Sequence, residues 1–554
     1  MSYIRTPSKP AFVISLCLTV GTGLAWPAAA QTVSAQTQLN LPLQSLRANA
    51  PQQHPERGAV KLDSLRSIGS NLPNLPLDRH LSIFITDVET MDQIRFSEVM
   101  DQLVKQSGDP FLTKEILFHQ WWDSAGQRPG LSLGPHCDDE AAPTPSSGIA
   151  NDTAVSSLNN FPYRCPRLEV AEVANNPFND ESSANTNTYS AIAFSNRFDL
   201  ISPPASPNTN RSPDCGEYRI IFARNSGRLD PLNRNLIIFE ARVPNPTPDD
   251  GLNGCRPILD FWHGLSDTTI NAADRGKRLH DFYLSGLPAA GVGPIVAIAH
   301  YTFGTGQIRT NQFMLNSDPG LSAPPVDWTL REFKALGTNG TLVIVPDSVK
   351  TNPGNDLFKA GSVDVRVGSL NQDIRAQMKN ILGGAGPAKG VDDVNSIGFA
   401  TGVGLNAFES DEKDHSLGDI VAAFAPAGVP NPTLSASVQA TLTLAGSPLT
   451  PLNVVSRLRT QTCAGCHHYS DGDHGLGGRA FWPNKQSIGD PTHPAMPFTQ
   501  ESERTADLQP AIVGAGKRYA ISATVECLLD FREAFMKKTL GLRAGTPSDN
   551  CPRQ

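Results

Sequence analysis

The sequence predicts an α+β protein: mainly antiparallel β through its N-terminal and middle region, followed by a small, mostly α-helical C-terminal domain. Three observations carry this expectation. From about residue 187 to 345, short runs that alternate or stay apolar recur between clusters of Pro, Asn and Gly, the pattern of half-buried strands. Toward the C-terminus, apolar positions recur at helical spacing instead, as amphipathic helices require. Gly and Pro, at 46 and 45 of 554 residues, are too abundant for a helix bundle and imply many turns.

A chain this long holds two to four domains by size alone. Its hydrophobic fraction of 39% is enough for real cores. A net charge of -8 argues against nucleic-acid binding, which calls for a basic patch. Arg5 and Lys9, the apolar stretch 11–24 and Ala28-Ala29-Ala30 read as a secretory signal peptide over residues 1–30. No later stretch reaches the run of about 18 apolar residues that spans a bilayer. The expectation is an exported protein, periplasmic or extracellular in a bacterium, with no transmembrane segment after cleavage.

Residues 31–80 lack periodicity and are rich in Gln, Ser, Pro and Asn, so they read as an extended linker. An α+β region of unassigned role follows over 81–435. Its first strand is expected at 82–86 and its first helix from Phe96 through Val104, stopped by Gly108. Trp121-Trp122 reads as core packing. Residues 125–185 read as loop. Strands are expected at 189–200, 217–224 and 235–243, helices at 257–265 and 272–284, strands again at 307–314, 328–335 and 341–345, and a helix at 371–382 ended by Gly383-Gly384. A third part, 440–554, begins with Thr450-Pro451 as cap and first helical residue of a helix bearing Leu452, Val455 and Leu458. A loop covers about 469–520. The closing helix, 522–540, has Val525, Leu528, Leu529, Phe531, Phe535 and Met536 on its apolar face and Gly541 at its end.

The chemistry of the chain lies in its nine cysteines. Cys17 leaves with the signal peptide. Cys463-Ala464-Gly465-Cys466-His467 is C-x-x-C-H, the attachment pattern of c-type haem. Six cysteines then remain for disulfides. Pairing by sequence proximity gives Cys137 with Cys165, Cys215 with Cys255, and Cys527 with Cys551, one of fifteen possible connectivities.

A helix running into C-x-x-C-H, a loop and a closing amphipathic helix resembles the small c-type cytochromes over 440–554. The resemblance implies one covalent haem c per chain, with Cys463 and Cys466 as attachment residues and His467 as proximal iron ligand. It also implies an axial partner in the returning loop. Met496, followed by Pro497, is the distal candidate and would raise the reduction potential; His493 is the alternative and would lower it. The spacing from His467 to Met496 is shorter than the family's usual spacing. Trp121-Trp122-Asp123, Asn196-Arg197-Phe198-Asp199-Leu200 and Cys215-Gly216-Glu217-Tyr218-Arg219 resemble a group of exported bacterial proteins with a terminal C-x-x-C-H, which implies architecture and no activity.

Electron transfer with a redox partner protein, or with a small-molecule donor or acceptor, is the leading expectation. One alternative is a haem-dependent oxidase or peroxidase whose substrate is held by the N-terminal region. Another is a non-catalytic envelope protein in which the cysteines hold zinc, through His468 or His474, or form a disulfide. Other motifs read as decoys. Gly130–Gly134 matches a nucleophile elbow but is flanked by prolines. The stretch 384–390 lacks the Ser or Thr of a phosphate loop. Ser470–Asp473 reads as a solvated turn, because the further ligands of a calcium loop are missing.

Overall fold

The structure is a computed structural model. It describes, with isolated exceptions, residues 67–121, 176–202, 211–228, 235–315, 326–347, 353–383, 419–462 and 517–543, plus short pieces between them. The signal-peptide stretch lies outside the described residues, as do Cys137, Cys165, Cys551, Trp122 and the two glycine-rich decoys.

Eight strands form one antiparallel sheet. They are β1 (Phe84–Ile85), β2 (Tyr189–Arg197), β3 (Asp214–Arg224), β4 (Asn235–Pro244), β5 (Gln307–Leu315), β6 (Val326–Thr338), β7 (Thr341–Asp347) and β8 (Glu412–Lys413). The first six are neighbours in chain order. The far edge of β6 pairs with β7 along Glu332–Thr338 and with β8 at Thr329 and Leu330. The α+β, mainly antiparallel expectation therefore holds for the middle region. Each expected strand from 189 onward is present, extended by up to three residues or, for β2, shortened by three where Phe198–Leu200 turns into a 3-10 helix.

Four helices cover one face of the sheet: α1 (Phe96–Ser107), α2 (Lys114–Trp121), α3 (Arg256–Gly264) and α4 (Ala272–Ser285). Gly108 ends α1 with φ of 67°, a left-handed position that glycine adopts without Cβ strain. Phe96 packs against Tyr189 and Phe222 at ring distances of 5.0 and 5.3 Å. Trp262 of α3 stacks on Tyr218 at 5.7 Å, and Tyr283 of α4 on Phe194 at 5.1 Å. Cys215, on β3, is bonded to Cys255 at the start of α3, as sequence proximity suggested, with Cα atoms 5.4 Å apart.

The end of the 31–80 stretch is docked rather than free. Ser70 and Asn71 bond to Asp260, Ser70 also to His263, and Leu77 is buried. A second apolar core is built from residues 357–458. Its helices are α5 (Val367–Ala376), α6 (Met378–Ile381), α7 (Ile420–Phe424), α8 (Pro432–Leu444) and α9 (Pro451–Arg459). The helix expected at 371–382 starts four residues earlier, where Asp364 accepts from the Arg366 amide, and breaks at Gln377. The closing helix, α10 (Ala523–Thr539), places Val525, Leu529, Phe535 and Met536 in the first core, with the sheet. The helix before C-x-x-C-H and the helix after it are thus buried in different cores. Among the described residues, no helix is long and apolar enough to cross a membrane.

Candidate functional site

The segment that carries C-x-x-C-H is built from α9. Thr450 caps the helix through a reciprocal pair with Asn453, and Pro451 occupies the first turn, as the sequence suggested. Val454, Val455 and Leu458 are buried in the second core. Two arginines near the helix end do not reach for solvent. Arg457 is fully buried and donates to the carbonyls of Leu476 at 2.7 Å, Gly477 at 3.3 Å and Ile381 at 3.4 Å. Arg459 pairs with Asp419 at 3.1 Å and Asp473 at 2.6 Å.

These contacts tie the chain after the motif back to the helix before it. Thr462 Oγ1 donates to the Arg459 carbonyl at 2.9 Å and accepts from the Gly465 amide at 3.0 Å. The Ser470 amide donates to Gly465 O at 2.8 Å, and the Asp473 amide to Ser470 O at 2.8 Å. Asn453 Nδ2 reaches Gly475 O at 2.7 Å. The described ends of the turn expected to be solvated are not: Ser470 has no exposed surface, and Asp473 is held in an ion pair with 15% side-chain exposure. The reason is the pull of Arg457 on the Leu476 and Gly477 carbonyls and of Arg459 on the Asp473 carboxylate.

Cys463, Cys466 and His467 lie outside the described residues, as do Met496, His493, His468 and His474. The fit of a haem is therefore judged on the frame. A Cβ on Gly465 would sit 1.8 Å from the Arg459 carbonyl, so the spacer of C-A-G-C tolerates only glycine there. Arg459 Nε and Ser470 Oγ are buried donors with no hydrogen-bond partner. Unsatisfied buried donors beside C-x-x-C-H suit an acidic substituent of the kind a haem carries. The frame and the implied group are compatible. Among the described residues, no three His, Cys, Asp or Glu side chains gather as a metal site.

A second polar constellation was missed by sequence reasoning. The face of the sheet opposite α1–α4 carries a row of charged side chains that is itself buried. Register places Arg197 beside Glu217 and Glu217 beside Arg242, then Ser195 beside Arg219 and Arg219 beside Glu240, then Arg309 beside Glu332. Arg219 bonds to Glu217 at 2.5 Å and Glu240 at 3.2 Å. Arg309 bridges Glu240 at 3.2 Å and Glu332 at 3.0 Å, and Lys334 meets Glu332 at 2.9 Å. Burial raises the Glu240 carboxyl above its ordinary range, against the pull of Arg219 and Arg309. Burial pushes Glu217 and Asp199 up too, but the neighbouring arginines hold both below the ordinary range, Arg219 leading for Glu217 and Arg197 for Asp199. The signal in the sequence was the charged i, i+2 pairs Glu217/Arg219, Glu240/Arg242 and Glu332/Lys334. Comparison with protein-family models, with curated proteins and with solved structures finds no match.

Proposed function

We propose that the chain is an exported mono-haem c-type electron-transfer protein, with the haem carried by the segment after α9. The observation that carries the reading is C-x-x-C-H starting within four residues of the end of a capped, buried helix, in a loop drawn back to that helix by Arg457 and Arg459. Covalently bound haem c supplies an iron that cycles between ferric and ferrous states, at a potential set by its ligands and burial. In this reading Cys463 and Cys466 hold the porphyrin through thioether bonds, and His467 gives its imidazole to the proximal side. Met496 is the distal ligand we favour, with His493 as its rival. Arg459 and Ser470 offer buried N–H and O–H groups to an acidic substituent. The partner is a redox protein or a small electron donor or acceptor, met in the periplasm or outside the cell.

A pyridine haemochrome spectrum of the mature protein tests this. One haem per chain is expected, and Cys463→Ser and Cys466→Ser should each remove one thioether and shift the band. A mature chain purified from a host able to attach haem c, yet colourless and holding one zinc, overturns the reading. Carbon monoxide separates electron transfer from substrate chemistry: the ferrous wild type should resist it, and Met496→Ala should admit it.

A further inference from the structure

The polar face of the sheet is buried along its whole length, with small and uneven exposure. At its β5–β6 end, Glu332 and Lys334 are 0% exposed and paired with each other. At its β2–β4 end, Arg219 and Arg242 each keep 8% side-chain exposure and Arg197 keeps 5%, against 16% for Arg309 on β5. Here five guanidinium groups, those of Arg197, Arg219, Arg242, Arg309 and Arg532, act on three carboxylates, those of Asp199, Asp214 and Glu217. The fourth nearby carboxyl, Glu240, is shared with Arg309 and driven by burial toward its neutral form.

Three donors at this end are buried with no hydrogen-bond partner: Arg197 Nη1, Arg242 Nε and Ser195 Oγ. Both arginines are engaged through other nitrogens. Arg197 grips Asp199 through Nε at 3.0 Å and Nη2 at 2.8 Å. Arg242 uses Nη1 for Ser202 at 3.0 Å and Asp214 at 3.3 Å. The three donors sit on β2 and β4, flanking Glu217 and Arg219 of β3 on one face. A buried charged donor left unsatisfied carries its full desolvation penalty, and native structures supply a ligand, ion or water to such groups.

We propose that this end of the sheet binds a small organic acid through one carboxylate, which accepts N–H groups from Arg197 and Arg242 and the hydroxyl of Ser195. A carboxylate offers two oxygens to donors on two strands, which a single halide cannot. A dianion is disfavoured, because Asp214 and Glu217 line the same place. The site lies outside the C-x-x-C-H segment and does not rest on the haem reading.

The test is a calorimetric titration of the full mature chain with acetate, set against chloride at constant ionic strength. One saturable acetate site is expected, with affinity falling about tenfold in Ser195→Ala and further in Arg197→Lys, the scale of one lost charge-assisted hydrogen bond. Absence of a saturable acetate response beyond that of chloride overturns the proposal. So does wild-type acetate affinity in folded Ser195→Ala and Arg197→Lys proteins. If Arg197→Lys fails to fold, Ser195→Ala decides alone, because it removes only a hydroxyl with no partner in the fold.

Discussion

His300 shows at the residue scale how burial sets a pH dependence. Its ring is almost wholly inside, and Nδ1 donates to the Ile295 carbonyl at 2.8 Å. Burial disfavours the imidazolium and lowers the pKa below the ordinary 6.5, against a small opposing effect of that hydrogen bond. The unfolded chain then binds a proton more readily than the folded one. Stability from this group is complete above the unfolded value and is lost as pH falls through the folded one. Urea unfolding of the wild type should therefore show a falling midpoint from pH 7.5 to 5, and His300→Gln should show a flatter one. Equal slopes in both proteins would mean that the ring takes its proton without cost. Lys334 illustrates the other side of the residue scale. Its zero exposure and its bonds to Gly306, Gln307 and Glu332 cannot be read from sequence, because a lysine in a strand is ordinarily solvated. Only the packing of the whole sheet decides which charged side chains meet water.

At the scale of elements, much was legible. The alternation and boundaries of 189–243 and 307–345 lead to β2–β7 because period 2 and Pro, Asn or Gly ends are local signals. The caps at Thr450 and Gly108 were legible for the same reason. What alternation does not encode is whether the second face of the sheet is dry. Glu217, Arg219, Glu240 and Arg242 alternate with apolar residues as a solvated face would, and all four are buried. In the candidate site, the motif and its leading helix were readable, whereas the two-arginine clamp was not, since Asp419 and Ile381 are remote in sequence from α9. One element-level staple can be weighed. Cys215 and Cys255 close a separation of 40 residues between β3 and α3. Constraint of the unfolded chain by a loop of that size stabilises by about 2–4 kcal/mol. The double variant Cys215→Ala/Cys255→Ala should lose that amount in guanidinium unfolding, and reductant should reproduce the loss in the wild type. A reductant-insensitive wild type would show that the bond does not hold this junction.

At the scale of the molecule, the informative fact is where α10 is buried. The linear order of helix, motif, loop and closing helix suggests a self-contained C-terminal unit. Yet Leu357, Leu370, Val438, Val454 and Leu458 share one core, while Phe535 and Met536 belong to the core of the sheet. Phe535 packs edge-on against Phe198 at 5.7 Å, Arg79 pairs with Asp530 and Glu533, and Ile68 N donates to Thr539 O at 2.7 Å. The closing helix is stitched to the first described residues and to the end of β2. Hydrophobic periodicity identified its apolar face but not which core that face enters, because a moment has a direction on the helix and no address in the fold. Removing the Phe535 side chain should therefore act on the sheet. Phe535→Ala is expected to lower the global unfolding free energy by about 3–5 kcal/mol, the cost of emptying a fully buried aromatic site. The sheet should report the loss: the near-ultraviolet signal of the Tyr218–Trp262 stack, 5.7 Å between rings, should melt at lower urea in the variant. If that signal keeps its midpoint, α10 belongs energetically to the C-x-x-C-H segment instead, and the burial of Phe535 beside Phe198 carries no share of the sheet's stability.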